Sequence, residues 1–309
     1  MKRIIIDCDP GIDDAQAIMM AYQHPGVTIE AITSVAGNVG VEKTTANALK
    51  ILDVLDAGPI PVYPGAASGL VEKGENASLV HGEDGLGDVN IPASKRTPEQ
   101  KPAALALIDL AKENPGELEL IAIGPLTNLA IALRLDPELP SFYKRLVIMG
   151  GAYLAKGNTL NPPAEFNIYA DPDAAAVVFA NWPELTMISW EATMAHGMPI
   201  EDFNSFFTFE NPRNHFLKKV TQKTLEFLQN VMNRDMSYFA DPLAMAVLIE
   251  PEIVTEVEDK HVQVERFGAL SRGMTVVDWW GLTGQSPNTH IVRQVKRDWF
   301  FELLKMAYQ

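Results

Sequence analysis

The chain has 309 residues, 47% of them hydrophobic and 21% charged, with a formal net charge of −15. This composition fits a water-soluble protein with a large core, and its acidity argues against a nucleic-acid partner, whose phosphates attract basic surfaces. No apolar run approaches the roughly 20 residues that a membrane span needs. The first predicted strand leaves no room for a signal peptide. Cys8 is the only cysteine, so the chain can form no intrachain disulfide. We therefore expect a cytoplasmic protein without a membrane partner.

Four aspartates follow the first apolar run of the chain. Residues 4–6 predict a buried central strand, Pro10 and Gly11 break it, and a helical pattern begins at Asp13. Such a turn lies where open α/β sheets bind ligands. The helix amino terminus offsets only about 0.3–1 kcal/mol of repulsion per charge, whereas Ca²⁺ or Mg²⁺ would offset more. We therefore predict a metal site at this turn, which carries Asp7, Asp9, Asp13 and Asp14.

Strands and helices then alternate along most of the chain. We predict strands at 29–35, 62–63, 118–123, 145–149 and 186–189, with helices at 42–55, 102–112, from 124 and at 171–179. A helical region broken at Asn211-Pro212 covers 200–236, a helix starts at Asp241, and strands at 262–265, 274–278 and 289–292 precede a closing helix from Trp299. This order predicts an α/β fold: a mostly parallel central sheet with helices on both faces and a small antiparallel edge. No repeat or linker interrupts it, so we expect one domain over 1–309.

Two long polar segments are candidates for functional loops. Residues 74–92 are rich in glycine and acids and contain His81, the only nearby side chain that titrates near neutral pH; a solvent-exposed loop histidine is the alternative. Residues 157–171 are predicted to form a rigid loop whose amide and carboxylate groups suit sugar hydroxyls. The alternative there is a loop held by asparagine side chains that bond to their own backbone.

The string Asp7-Cys8-Asp9-Pro10-Gly11-Ile12-Asp13-Asp14-Ala15 resembles the signature of the inosine-uridine-preferring nucleoside hydrolases. Segments at 35–38, 81–82, 123–128, 149–151, 164–167 and 171–172 also resemble that family, in the family order, and Asp241 stands at its late aspartate. The resemblance covers nearly the whole chain. It implies the Rossmann-like nucleoside hydrolase fold, one bound Ca²⁺, a nucleoside substrate, a role in nucleoside salvage, and assembly as a homodimer or homotetramer.

The resemblance also implies roles for individual residues. The metal ligands would be Asp9, Asp14, Asp241 and the backbone carbonyl of Ile123. Asp7 would support the turn. Asp9 would also be the general base, acting on a metal-bound water that attacks the N-glycosidic bond and releases free base and ribose. The residues implied to bind substrate are Asp13, Asn38, Met149, Asn158, Glu165 and Asn167.

The chain departs from the family where the leaving base would lie. Ala240 precedes Asp241, whereas many members have there a histidine that protonates the base; His81 is our candidate substitute. Purine-preferring relatives instead stack the base on aromatic rings. Asn158 is one residue farther from Glu165 than is usual, so Asn161 is an equal candidate for the amide role, and Trp190-Glu191 replaces a common Leu-Asp pair. The stacking candidates are Trp190, Tyr238, Phe239, Trp279 and Trp280.

Two other hypotheses come from different protein classes. The missing histidine is compatible with a non-catalytic nucleoside- or ribose-binding homologue. The Asp7-x-Asp9 pattern resembles a Mg²⁺-dependent phosphatase of the haloacid-dehalogenase type, with Asp7 as nucleophile. That resemblance is weaker, because Gly11 stands where those enzymes have Thr or Val and no later lysine motif follows. Base preference stays open.

Overall fold

A nine-stranded sheet runs through the molecule. The computed structural model describes residues 1–309. The strands of the main sheet are β1 (Lys2–Cys8), β2 (Val27–Ser34), β3 (Val62–Pro64), β4 (Leu118–Ala122), β5 (Arg145–Met149), β6 (Leu185–Ile188), β9 (Val254–Val264), β10 (Thr275–Asp278) and β11 (Thr289–Val295), and two short strands, β7 (Met198–Pro199) and β8 (Met236–Ser237), pair separately.

The order across the sheet is β10-β9-β11-β6-β5-β4-β1-β2-β3. All neighbours from β11 to β3 are parallel, whereas β9 is antiparallel to both β11 and β10. The carboxyl ends of the parallel strands meet at one edge of the sheet, where the turn after β1 lies between those after β4 and β2. This edge is where ligands bind in such sheets.

Helices cover both faces of the sheet. They are α1 (Ile12–Gln23), α2 (Val41–Val54), α3 (Ser78–His81), α4 (Ala103–Glu113), α5 (Thr127–Leu135), α6 (Leu139–Phe142), α7 (Phe166–Ala170), α8 (Pro172–Asn181), α9 (Trp190–Ala195), α10 (Ile200–Asn204), α11 (Pro212–Glu226), α12 (Ala240–Ile249) and α13 (Arg297–Lys305). A π-helical turn, Phe227–Val231, continues α11, and 3₁₀ turns cover Ser205–Thr208 and Pro251–Ile253. No helix has the length and apolar character that a membrane crossing requires.

The apolar residues of β1 explain how the core divides. Side chains alternate across a strand, so Ile4 and Ile6 face one layer of helices and Ile5 faces the other. The first layer includes α1, α12 and α13, and the second includes α4, α5 and α8. All three isoleucines are fully buried, which stabilises the fold by roughly 1.5–3 kcal/mol per side chain. β1 is thereby fixed as a central strand, and its carboxyl end positions the acidic turn.

The predicted sheet, its two helical layers and its antiparallel edge are confirmed, but three predicted boundaries are wrong. β9 begins at Val254 rather than at residue 262, because its first half carries exposed polar side chains that hide the strand pattern. The predicted helical region 200–236 contains irregular segments, and Met236 lies in a strand. The predicted loop 157–171 ends in α7, whose first turn is capped by the Glu165 side chain.

Candidate active site

A cavity of about 320 Å³ opens at the carboxyl edge of the sheet. The turns after β1, β2, β4 and β5 form one side of it, and helices α1, α3, α7, α9, α10, α11 and α12 and the π-helical turn contribute further wall residues. Of the residues implied to bind the metal, to act in catalysis or to bind the sugar, Asp14 and the alternative Asn161 are absent from the lining. The others are Asp9, Asp13, Asn38, His81, Ile123, Met149, Asn158, Glu165, Asn167 and Asp241.

Hydrogen bonds hold the acidic turn in place. The Asp14 carboxylate accepts the backbone N–H groups of Gly11 at 2.8 Å and of Asp9 at 3.2 Å. The Asp9 carboxylate accepts the backbone N–H of Asn38 at 2.7 Å, and the Asn38 amide donates to the Asp9 carbonyl and to Asp14. The turn after β2 thus packs directly on Asp9: a Cβ atom on Gly37 would lie 2.1 Å from Asp9 Oδ2.

Asp7 supports this turn from below. It is fully buried, and its Oδ1 accepts hydrogen bonds from Thr33 Oγ1 at 2.5 Å and Asn128 Nδ2 at 2.8 Å. Burial raises the pKa of Asp7 to about 7, although both hydrogen bonds oppose this shift. Asp7 does not line the cavity, and a nucleophile must reach its substrate. The structure therefore contradicts the phosphatase hypothesis.

The acidic residues fit a hard divalent cation. One carboxylate oxygen from each of Asp13, Asp14 and Asp241 lies within 4.8 Å of the other two. Burial, followed by repulsion among the aspartates, raises the pKa of Asp14 to about 8 and that of Asp241 well above its usual value. Asp13 Oδ1 is buried without a hydrogen-bond partner. An all-oxygen set with unrelieved negative charge is the donor chemistry that Ca²⁺ prefers.

Two expected ligands are engaged elsewhere in this structure. The Asp9 carboxylate is directed to the Asn38 N–H, and burial and the nearby Asp14 raise the pKa of Asp9 well above its usual value. The Ile123 carbonyl accepts a hydrogen bond from Asn167 Nδ2 at 3.1 Å. Both groups are nonetheless at the cavity surface.

The opposite wall is built around Glu165 and Asn167. The Glu165 carboxylate accepts backbone N–H groups of Gly151 at 2.9 Å, Asn167 at 2.9 Å and Ile168 at 3.3 Å, and burial raises its pKa to about 7. The Asn167 amide donates to the carbonyls that follow β4 and end β5. Glu165 and Asn167 therefore fix the relative positions of three neighbouring turns.

The structure distinguishes the two candidate asparagines. Asn158 lines the cavity, and its Oδ1 accepts the backbone N–H of Phe166 at 2.9 Å. The Asn161 amide donates to the carbonyl of Arg272 at 2.5 Å and is absent from the lining. Glu191, the other departure in this region, accepts three backbone N–H groups from the segment after β5, which gives that carboxylate a structural contact.

His81 is buried at the end of α3, so the alternative of a solvent-exposed histidine is wrong. Its Nδ1 accepts the backbone N–H of Ile12 at 3.1 Å and lies 3.9 Å from Asp13 Oδ1. Burial lowers the pKa of His81, and Asp13 opposes that shift. A ring nitrogen that accepts a hydrogen bond carries no proton, so the neutral imidazole carries its proton on Nε2.

Two of the five aromatic candidates line the cavity. Trp190 and Tyr238 do so, with ring centroids 5.8 Å apart. Phe239 packs against Phe203 and Phe300 in the core, Trp279 packs against Tyr153, and Trp280 is exposed. Stacking by these last three side chains finds no support in the structure.

Sequence reasoning missed much of the cavity wall beyond the acidic turn. The π-helical turn that continues α11 brings Phe227 and Leu228 to the wall, and such a turn has no sequence signature. Gln16 did leave a signal, since it is a polar residue within the buried run of α1. The missed residues include Gln16, Val80, Met194, Phe203, Thr221, Thr224, Leu225, Phe227, Leu228, Met232, Arg234 and Ser237.

Known proteins match this chain in sequence and in fold. The family model described as inosine-uridine preferring nucleoside hydrolase matches residues 4–302. The pyrimidine-specific ribonucleoside hydrolase RihA of Escherichia coli O8 (strain IAI1) is 38% identical over 307 residues, covering 97% of this chain and 96% of its own. Solved structures of the plant nucleoside hydrolase PpNRh1 and of an inosine-guanosine nucleoside hydrolase each superpose with a TM-score of 0.92 at 32% identity, covering 99% of this chain and 98% of theirs.

The chain therefore belongs to the inosine-uridine-preferring nucleoside hydrolase family. Its fold is that of the nucleoside hydrolases, and its enzyme class is that of the N-ribosyl hydrolases.

Proposed function

We propose that this protein catalyses Ca²⁺-dependent hydrolysis of the N-glycosidic bond of ribonucleosides to free base and ribose. The observation that carries the proposal is the aspartate cluster, with Asp14 and Asp241 buried and Asp13 partly buried, which borders a cavity with amide and carboxylate groups on its opposite wall. The cluster supplies the charge that a cation needs, and the opposite wall supplies donors and acceptors for sugar hydroxyls. The two features occur together in a chain of the nucleoside hydrolase family.

We assign the cation to Asp9, Asp14, Asp241 and the carbonyl of Ile123, with Asp13 beside it. When bound, the ion supplies Lewis-acid charge that makes an attacking water more acidic. Asp9 takes the proton from that water as the C–N bond breaks. The Asn38 N–H holds the Asp9 carboxylate at 2.7 Å, which fixes the base at the cavity surface.

The two walls of the cavity orient the sugar between them. Asp13 and Asn38 accept and donate hydrogen bonds on the side of the acidic turn, whereas Glu165 and Asn167 do so on the opposite side, with Asn158 and the Met149 backbone beside them. Positive charge develops on the sugar as the N-glycosidic bond breaks. Carboxylates fixed by backbone N–H groups stabilise that charge without reorganising.

The leaving base receives its hydrogen bond from His81. Because the Ile12 N–H occupies Nδ1, the Nε2–H of the neutral ring is the group free to donate. Ala240 contributes no donor, while Trp190 and Tyr238 offer aromatic surface on the same cavity. The named relatives differ in the base they act on, so we propose the ribonucleoside class without a base preference.

A chromatographic assay of the calcium-loaded protein tests this function. The substrates are inosine, adenosine, guanosine, uridine, cytidine and the 2′-deoxy form of each. We expect release of free base and ribose from ribonucleosides, and slower release from the 2′-deoxy forms, which lack a hydroxyl that the cavity walls bind. Tight binding of every nucleoside without product would support the non-catalytic homologue instead.

A further inference from the structure

Gln16 is a cavity-lining residue that the reaction described above does not use. It lies on α1 and is only 4% exposed, yet it belongs to the wall of the cavity. Its Oε1 atom is buried and has no hydrogen-bond partner. Native proteins leave few buried polar atoms unpaired, so a group of this kind at a cavity surface indicates a missing partner.

The neighbouring polar groups of the wall do not supply that partner. The Thr221 hydroxyl donates to the Leu217 carbonyl at 2.6 Å, within its own helix. The Thr224 hydroxyl donates to the Val80 carbonyl at 3.3 Å. Leu225 and Leu228 on the same wall are apolar and offer no donor, and the Arg234 guanidinium donates to the Tyr238 hydroxyl at 3.1 Å. The partner of Gln16 must therefore come from the contents of the cavity.

The position of Gln16 indicates which part of a ligand it meets. Asp13 and Gln16 are three residues apart on α1 and both line the cavity, so they share one face of the helix, about 4.5 Å apart along its axis. Asp13 is assigned to the ribose. A group one helical turn further along the same face then meets the part of the nucleoside attached to the ribose, which is the base.

We infer that Gln16 recognises the polar edge of the nucleobase, where an N–H donor stands beside an acceptor. The base N–H donates to the buried Oε1, and the Gln16 Nε2 group donates to the base carbonyl or ring nitrogen. This inference rests on the proposed function. It makes Gln16 a specificity-determining residue that favours bases with such an edge over analogues that lack the N–H.

The test compares substrate pairs that differ only at that edge. Purine riboside lacks the N1–H and the carbonyl of inosine, and 4-deoxyuridine lacks the N3–H and the 4-carbonyl of uridine. Gln16→Met keeps the length and helix propensity of the side chain and removes the amide. We expect the ratio of kcat/KM for inosine over purine riboside to fall at least about tenfold in Gln16→Met, because a buried amide penalises a substrate that leaves it unpaired.

Comparing this ratio between the wild-type protein and the variant cancels the intrinsic reactivity of each substrate, and a matched variant controls for the substitution. Gln222 lies on the exposed face of α11 and donates to Glu226, so Gln222→Met should leave both ratios unchanged. Thermal unfolding without nucleoside checks the fold: Gln16→Met should unfold at or above the wild-type temperature, because it removes an unpaired buried acceptor.

The outcomes separate this inference from the proposed function. Hydrolysis of no nucleoside by the wild-type protein contradicts the proposed function. Hydrolysis by a folded Gln16→Met variant with unchanged ratios for both substrate pairs overturns the inference and leaves the proposed function standing; Gln16 then pairs only with water. A fall of the kcat/KM ratio for only one of the two substrate pairs supports the inference and identifies the preferred base.

Discussion

Asp9 lies where the acidic turn meets the cavity, with its carboxylate held by the Asn38 N–H. Asp9→Asn preserves the size of the side chain and an oxygen that can accept this hydrogen bond, but it removes the base. We expect kcat to fall by about 10²–10⁴ with little change in thermal stability. Steady-state kinetics on the calcium-loaded protein measures this.

Asp202→Asn is the matched control for Asp9→Asn, because Asp202 is exposed on α10 and does not line the cavity. It should retain wild-type activity. Full activity in Asp9→Asn would show that another group takes the proton.

The two ring nitrogens of His81 have different roles: Nδ1 accepts the Ile12 N–H, and Nε2 is free to donate to the leaving base. Two substitutions separate these roles. An asparagine at residue 81 places its oxygen near the position of Nδ1 and keeps an acceptor for the Ile12 N–H, but it cannot reach the position of Nε2. A glutamine reaches the position of Nε2 with an N–H donor. We expect kcat to fall by about 10–100-fold in His81→Asn and less in His81→Gln, with KM changed little in both.

If His81 only packs against α1, kcat will be the same in the two variants. Measuring kcat and KM separately for inosine and uridine distinguishes the two roles. The sequence alone could not decide whether His81 is functional or solvent-exposed. Nothing in residues 74–92 predicts that α3 buries the ring against the start of α1.

The turn after β2 packs closely against Asp9. A Cβ atom on Gly37 would lie 2.1 Å from Asp9 Oδ2 and 2.8 Å from Pro125. Gly37→Ala must therefore displace Asp9 or the turn itself. We expect at least about a 100-fold loss of kcat/KM, since misplacing a catalytic group by about 1 Å has that effect, together with lower thermal stability.

Gly58→Ala controls for the loss of a glycine, because a Cβ atom there has nothing within 4 Å and its φ is not in the left-handed region. That variant should keep full activity and gain up to about 1 kcal/mol of stability. Equal effects of the two substitutions would mean that the packing of Gly37 on Asp9 does not position the carboxylate.

The units in which a strand leads into a helix were predictable, because the apolar pattern of each strand agrees with its place in the sheet. Residues 4–6 are apolar and β1 is central, so pattern, strand and acidic turn followed directly from the sequence. The part of the cavity wall assigned to the nucleobase could not be predicted, and the reason is physical. It depends on how α11 packs across α1 and on a π-helical turn after residue 226, and neither leaves a periodic signal. The predicted start of β9 was wrong because the exposed polar residues in its first half resemble a loop.

At the scale of the whole molecule, the buried carboxyl groups lower the free energy of unfolding when they are ionised and no metal is bound. Burial raises the pKa of Asp7 and Glu165 to about 7 and that of Asp14 to about 8. Carboxyl groups in the unfolded chain titrate near pH 4. The folded chain therefore binds more protons than the unfolded chain between roughly pH 4 and pH 8, and its free energy of unfolding falls as the pH rises through this range.

We expect the melting temperature of the metal-free protein to fall from pH 5 to pH 8. The fall should be smaller with Ca²⁺ present, because the cation stabilises the ionised aspartates and binds only the folded chain. Thermal unfolding at each pH, in chelator and in calcium, measures both effects. A melting temperature that rises with pH in chelator, or that calcium leaves unchanged, would contradict this account of the acidic cluster.

The central claim is that one acidic site binds the cation and breaks the N-glycosidic bond. The most direct measurement strips a single preparation of metal, follows release of base from inosine and uridine, and then restores calcium stepwise while the same assay continues. We predict no release without metal and recovery that saturates at one calcium ion per chain. Undiminished release from the stripped protein, or calcium binding that restores no release from either nucleoside, would contradict the claim.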